Sequence, residues 1–239
     1  MQKEGWFFRR RFILVPTIWS VIIFILLLLT IAIFFIHNVA FFLAKQAPVE
    51  ANILVVEGWL ESDALSQAYM EYKSGHYDLV ITTGGPEARN FTDQFDSYAE
   101  QAAHQLNLLG LSMDNLKVIP TPASAQDRTY LSAVMVRKFI EAAPLIDKMK
   151  GINVFSADVH SRRTHFLYKQ AFDALAIPIG IISASPEDFR LANWWQTSAG
   201  AKTVLVEFIG WVYAHCCFEL PAKGSHQEMW GLTRDETKK

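Results

Sequence analysis

The chain has 239 residues, 51% of them apolar and 19% charged, with a formal net charge of −2. That length allows one large domain, or one domain with an appendage. Residues 1–45 hold Lys3, Arg9, Arg10, Arg11 and Lys45 against Glu4 alone, a net +4 that leaves −6 on the remainder; an acidic body excludes general nucleic-acid binding, which depends on neutralising many phosphates.

Residues 12–36 form an uncharged, almost wholly apolar run, longer than the roughly 20 residues that a bilayer core requires. The sequence predicts a basic N-terminus over 1–11, a transmembrane helix over 12–37 and a linker over 38–50. A cleaved signal needs a shorter core and a small-residue cleavage site, and Phe41, Phe42 and Leu43 crowd the one available stretch. An uncleaved, single-pass anchor in the lipid bilayer is therefore expected. Arg9, Arg10 and Arg11 precede the span and only Lys45 closely follows it, so the N-terminus is expected in the cytoplasm and the body beyond the inner membrane, in the periplasm of a bacterium.

From residue 51 to 218, short apolar runs alternate with amphipathic stretches. Strands are predicted over 51–56, 77–83, 116–119, the apolar start of the 151–165 stretch and 178–183, and helices over 61–73, 96–109, 127–143, 160–174 and 197–218. Asp127 is expected to cap the third of these helices. Residues 90–92 form an Asn-Phe-Thr sequon, of little weight in a bacterial-looking chain. Glu207 lies on an otherwise apolar helix and is expected to be at least partly buried with a partner. Residues 219–239 are polar and expected to be loose. Cys216 and Cys217 are adjacent, without CxxC or zinc spacing, which excludes a disulfide-stapled domain; they are expected as two small hydrophobes in the last helix. The alternation predicts an α/β, Rossmann-like, doubly wound parallel sheet of about five strands in the order 3-2-1-4-5.

In such sheets ligands bind where strands end and helices begin. Residues 151–165 carry the densest cluster of reactive groups, with Asp158, His160, Arg162 and Arg163 after an apolar run. Glu57 follows the first strand, and Gly84-Gly85 follow the second, where the backbone can cradle an anion or simply turn. Glu57 and His160 are the candidate catalytic pair, with Gly84, Gly85 and Arg163 holding a phosphate. No metal is expected, since His160 and His165 do not share a helix face well.

These residues resemble the pattern of the bacterial envelope family that includes ElyC, SanA and YdcF, over roughly residues 51–215. Gly58 and Gly84-Gly85 match its strand-end glycines, and Glu100 its second-helix acid. Thr129-Tyr130-Leu131-Ser132-Ala133 stands where the family has Thr-x-x-Asn-Ala, with Ser132 for Asn. Ser156, His160 and Arg163 match Ser-x-x-x-His-x-x-Arg-Ala, with Thr164 for the final Ala. The resemblance implies a ligand set of Gly58, Gly84, Gly85, Glu100, Thr129, Ser156 and Arg163, and a part in envelope or peptidoglycan-precursor homeostasis. It offers one cofactor, S-adenosylmethionine, through a soluble member; a domain outside the cytoplasm seldom meets that molecule, so none is expected here. Two function classes follow. One is an enzyme, a hydrolase or transferase, acting on a phosphate-bearing or lipid-linked envelope precursor. The other is a non-catalytic factor that senses a small anionic or lipid-linked ligand or docks on envelope-biosynthesis proteins.

Overall fold

A computed structural model describes residues 15–86, 94–123, 127–143, 149–225 and 228. The arginine cluster 9–11, the sequon 90–92 and part of the 121–126 loop lie outside these residues. The chain forms two compact units, Met1–Asn38 and Val39–Lys239.

Helix α1 (Ile18–Leu43) has 26 residues and a mean hydropathy of 3.0 over its most apolar window, long and apolar enough to cross a membrane. It begins and ends about six residues later than the composition suggests. Pro16 and Thr17 precede it, and Thr17 Oγ1 accepts from the Ser20 backbone N–H at 3.3 Å, as a cap does. Beyond the apolar run, Asn38 Nδ2 donates back to Phe34 O at 2.8 Å, so the polar residues there extend the helix.

The second unit is built on five parallel strands, β1 (Ile53–Glu57), β2 (Leu79–Gly84), β3 (Leu116–Pro120), β4 (Ile152–Ser156) and β5 (Ile179–Ser183), in the order β3-β2-β1-β4-β5. This is the expected doubly wound sheet. Every residue of β1 and β4 is buried, as strands covered on both faces must be. Ile53 and Val55 point into one core with residues of α4 (Arg128–Ala142) and α5 (Ser161–Phe172). Leu54 and Val56 point into the other, with α2 (Ser62–Ser74) and α3 (Tyr98–Leu108). The last helix, α6 (Ser198–Cys216), sends Val204 and Ala214 inward.

Three expectations are revised. Asp127 does not cap α4 with its side chain: its backbone is left-handed, φ 49° and ψ 32°, outside the extended conformation of a capping residue. The sulfurs of Cys216 and Cys217 are joined at the end of α6, where Cys217 has left helical geometry, φ −134° and ψ −10°. The tail is also not uniformly loose, since Glu228 is buried against Arg137 of α4.

The segment after α1 is held to the sheet. Ala47 bridges Ile181 antiparallel at the outer edge of β5, and Asn153 pairs with both backbone groups of Val49. Lys45 Nζ donates to His165 Nδ1 at 2.8 Å, while His165 Nε2–H donates to Ile179 O at 2.9 Å. Burial lowers the pKa of His165 below 6.5, and the charges of Lys45, Lys169 and Arg162 lower it further. A neutral, depressed imidazole contributes stability above pH 6.5 that is lost as the pH falls. The thermal midpoint is expected to drop between about pH 7.5 and 5.5, and His165→Gln to flatten that drop; an unchanged slope in the variant would assign it elsewhere.

Candidate functional site

The carboxyl ends of β1, β2 and β3 open onto a cavity of about 390 Å³. Sequence order scatters its walls from residue 57 to residue 207, and the sheet gathers them. Glu57 ends β1, Gly84 ends β2, Arg128, Thr129 and Ser132 begin α4, and His160 and Arg163 lie at the start of α5. Two helix N-termini thus face the strand ends, where backbone N–H groups favour an anion.

His160 is 7% exposed and stands in the middle of this wall. Its Nδ1 lies 3.0 Å from Glu207 Oε1 of α6 and 2.9 Å from Arg163 Nη2; the carboxylate can only accept a proton from Nδ1 and the guanidinium can only donate one to it, so each partner selects a different tautomer. Nε2 lies 3.4 Å from Thr129 Oγ1 and 3.9 Å from Glu57 Oε1. Trp59 sets the edge of its indole against the imidazole, ring centres 5.0 Å apart, which holds the ring plane. The imidazole thus sits among Thr129, Glu57, Glu207 and Arg163 in the cavity wall.

Glu207 also takes two hydrogen bonds from Arg163, Nε to Oε2 at 3.1 Å and Nη2 to Oε1 at 3.2 Å. Burial alone would raise its pKa; the hydrogen bonds and charges of His160 and Arg163 outweigh that and hold it down to about 2. The positive charge of Arg163 is consequently answered within the protein. Arg128 lines the same cavity, is exposed, and has no ion-pair partner among the described residues. It is better placed than Arg163 to meet an incoming anion.

Glu57 is 2% exposed. Ser156 Oγ donates to its Oε2 in a short hydrogen bond, and Thr164 Oγ1 donates to Oε1 at 3.3 Å. Thr164 therefore supplies a hydroxyl to the buried acid Glu57. Beneath it Tyr168 is wholly buried, and burial with the charge of Glu57 pushes its hydroxyl well above 10.

Three other expected ligand residues lie outside the cavity lining. Ser156 is wholly buried and acts through Glu57. Gly58 permits close packing: a Cβ there would come within 2.6 Å of the Tyr98 backbone, so its bareness lets the first turn of α3 settle on the strand end. Glu100 folds back on its own helix, where its Oε2 accepts from the Asp96 N–H at 2.9 Å and Ser97 Oγ accepts from the Glu100 N–H. Gly84 and Gly85 do line the cavity; Gly84 has φ +155°, and a Cβ on it would press on Tyr98.

A second cavity of about 270 Å³ adjoins the first and shares Trp59, His160 and Glu207 with it. Among the described residues, no group of three His, Cys, Asp or Glu side chains is arranged to hold a metal.

The chain thus forms an α/β domain with a cavity lined by polar and charged residues at the carboxyl edge of its sheet. No protein-family model matches the chain, and no curated protein matches it. Among solved structures, pantoate–β-alanine (pantothenate) synthetase from Thermus thermophilus matches with 14% identity and a TM-score of 0.33, over 70% of this chain and 69% of that one. That likeness is too distant to carry an argument.

Proposed function

We propose that this is a membrane-anchored, extracytoplasmic protein of cell-envelope biogenesis that binds and processes a phosphate-bearing or lipid-linked precursor at the carboxyl edge of its sheet. The observation that carries the reading is His160, which lines one cavity with Arg128 and the start of α4, its Nδ1 beside Glu207 and Arg163 and its Nε2 beside Thr129; with Nδ1–H given to Glu207, Nε2 would be the base. Arg128 and the backbone around Gly84 would hold the phosphate. Nε2 would take a proton from a water or alcohol held by Thr129 Oγ1 as its oxygen attacks phosphorus. The bond to the leaving oxygen breaks, and that oxygen takes the proton back from Nε2–H. The resemblance to the ElyC, SanA and YdcF family supports the envelope role, because its two motif segments, 129–133 and 156–164, both contribute to this one wall. The anchor and the body beyond the membrane follow from α1 and the Arg9–Arg11 cluster.

One observation favours a ligand-sensing factor without turnover. Both oxygens of Glu57 are already taken by hydroxyls, as in a structural acid.

Calorimetric titration of the full-length protein with inorganic phosphate and pyrophosphate tests the binding step. Arg128→Ala is expected to weaken binding by about tenfold or more, the worth of a charge-assisted hydrogen bond, with the fold unchanged. No heat from either anion, or full affinity in Arg128→Ala, would overturn the anion assignment. Release of nitrophenol from p-nitrophenyl phosphate or its diester, abolished in His160→Ala while pyrophosphate affinity survives, separates the enzyme from the sensor.

A further inference from the structure

Of the four reactive residues in the stretch 151–165, Arg162 alone lines neither cavity. Its guanidinium lies over the ring of Phe42, 3.8 Å from the ring centre, and its Nε donates to Phe42 O. Those contacts fix the plane of the group and use one of its five N–H donors. Neither Nη has a hydrogen-bond partner among the described residues. A planar fork held at its stem is the arrangement that takes two oxygens of a phosphate at once.

Two further cations stand beside it. Positions 162, 165 and 169 follow i, i+3, i+7 spacing, so Arg162, His165 and Lys169 share one face of α5. Lys45, from the segment after α1, reaches onto that face and donates to His165 Nδ1. All of these residues, Phe42 included, belong to the unit Val39–Lys239. Lys45, Arg162 and Lys169 form no ion pair among the described residues, although the body is acidic. Burial lowers the pKa of Lys45, and the charges of Arg162 and Lys169 lower it further. The same three cations add to the depression of His165. Like charges gathered in this way repel, and an anion among them removes the repulsion.

We infer that Lys45, Arg162 and Lys169 form a second anion site, separate from the cavity, that binds a phosphate group. The fork of Arg162 takes two oxygens, and the two ammonium groups take the others. His165 supports the site from beneath: Nε2–H is fixed on Ile179 O, so Nδ1 faces Lys45 as an acceptor and orients its ammonium. A soluble phosphomonoester and the headgroup phosphate of an anionic lipid both supply this chemistry. The inference stands apart from the proposed function, because the two sites share no residue.

The two histidines allow the sites to be read separately. Full-length protein with carbon-13 in its histidine rings is held in a maltoside micelle, whose headgroups carry no charge. His165→Gln and His160→Ala assign the two resonances. Inorganic phosphate and glycerol 3-phosphate are titrated in, and phosphatidylglycerol is mixed into the micelle in a parallel series. The His165 signal is expected to move saturably and its titration midpoint to rise, since a bound anion offsets the cations that hold it down. Lys169→Glu, at an exposed position, is expected to raise the half-saturating concentration about tenfold or more. Arg162→Lys is expected to raise it by a smaller factor, because the charge stays while the fork is lost. Saturation by the soluble phosphates supports a soluble ligand; saturation by phosphatidylglycerol alone supports a lipid headgroup. A His165 signal unmoved in every series, or saturating equally in Lys169→Glu, overturns the inference. If His160 moves in that same titration, the cavity proposal survives the failure of this one. Calorimetric heat from phosphate has two components when both sites bind, and the imidazoles assign each to its site.

Discussion

Glu228→Ala is expected to destabilise the second unit by about 3–5 kcal/mol, the usual consequence of leaving one member of a buried ion pair alone. Glu228 is 1% exposed and Arg137 3%. Their charged atoms meet at 2.6 Å, Nη2 to Oε1. Arg137 Nη1 donates to Ala171 O at 2.9 Å, and Glu228 Oε2 accepts from the Gly224 N–H at 2.7 Å; Arg137 Nε is buried without a hydrogen bond, so removing Glu228 would leave the guanidinium more poorly satisfied still. Glu141 stands 3.8 Å from Arg137 Nε but is itself engaged by Lys223, and it offers a partial substitute at most. Urea unfolding of full-length protein measures the loss. The double variant Arg137→Leu, Glu228→Leu is expected to recover part of it, because no charge is then stranded in the core. A change in Glu228→Ala below about 1 kcal/mol would mean that solvent reaches the guanidinium. The consequence extends to the site, since Arg137 lies on α4, the helix whose first residues, Arg128 and Thr129, form the cavity wall.

The pair also shows what a sequence conceals. Strand order was legible because continuous apolar runs such as residues 53–56 alternate with helical spacing, and parallel connections leave few arrangements. Gly84, Gly85 and His160 were legible because they follow strands, and strand ends are where such sheets open. Glu228 was not, because a polar tail gives no sign of which acid finds a buried arginine. The available signal was Arg137 itself, a charge within an apolar stretch of α4. Glu207 stood out as an acid on an apolar helix, yet nothing in one dimension joins it to His160, 47 residues earlier. Arg128 is a cation at a helix start, where it opposes the helix dipole, and that mismatch is a reason to look there for an anion. Glu100 misled in the opposite direction: an acid early in a helix, preceded by Ser97, is the signature of a cap, and a cap is what it forms.

Glu207→Gln is expected to lower turnover by about 10²-fold, approaching the roughly 10²–10⁴-fold loss expected of His160→Ala. The amide keeps the shape of the carboxylate but not its charge. Its nitrogen can turn to His160 Nδ1 as a donor, which would favour the tautomer with the proton on Nε2, the nitrogen that must accept. Arg163 meanwhile loses the carboxylate on which its two hydrogen bonds converge. The pH dependence distinguishes Glu207 from a titrating catalyst. Its pKa, held down to about 2, keeps it charged throughout the working range, so no limb of a rate profile between about pH 4 and 8 arises from it. Its stabilising contribution follows the rule for a depressed acid: present in full above the ordinary value of 4.5, lost as the pH falls towards 2. A depression of this size on a largely buried group corresponds to about 3 kcal/mol at most. Glu207→Gln should therefore be less stable than the native chain at about pH 7 and nearly equal to it at about pH 2.5, by denaturant unfolding at each pH. If the variant loses stability in this pattern yet hydrolyses the nitrophenyl esters at the native rate, Glu207 serves only to hold Arg163. If His160→Ala also keeps that rate, the acid–base mechanism is wrong, and the cavity is a binding site alone.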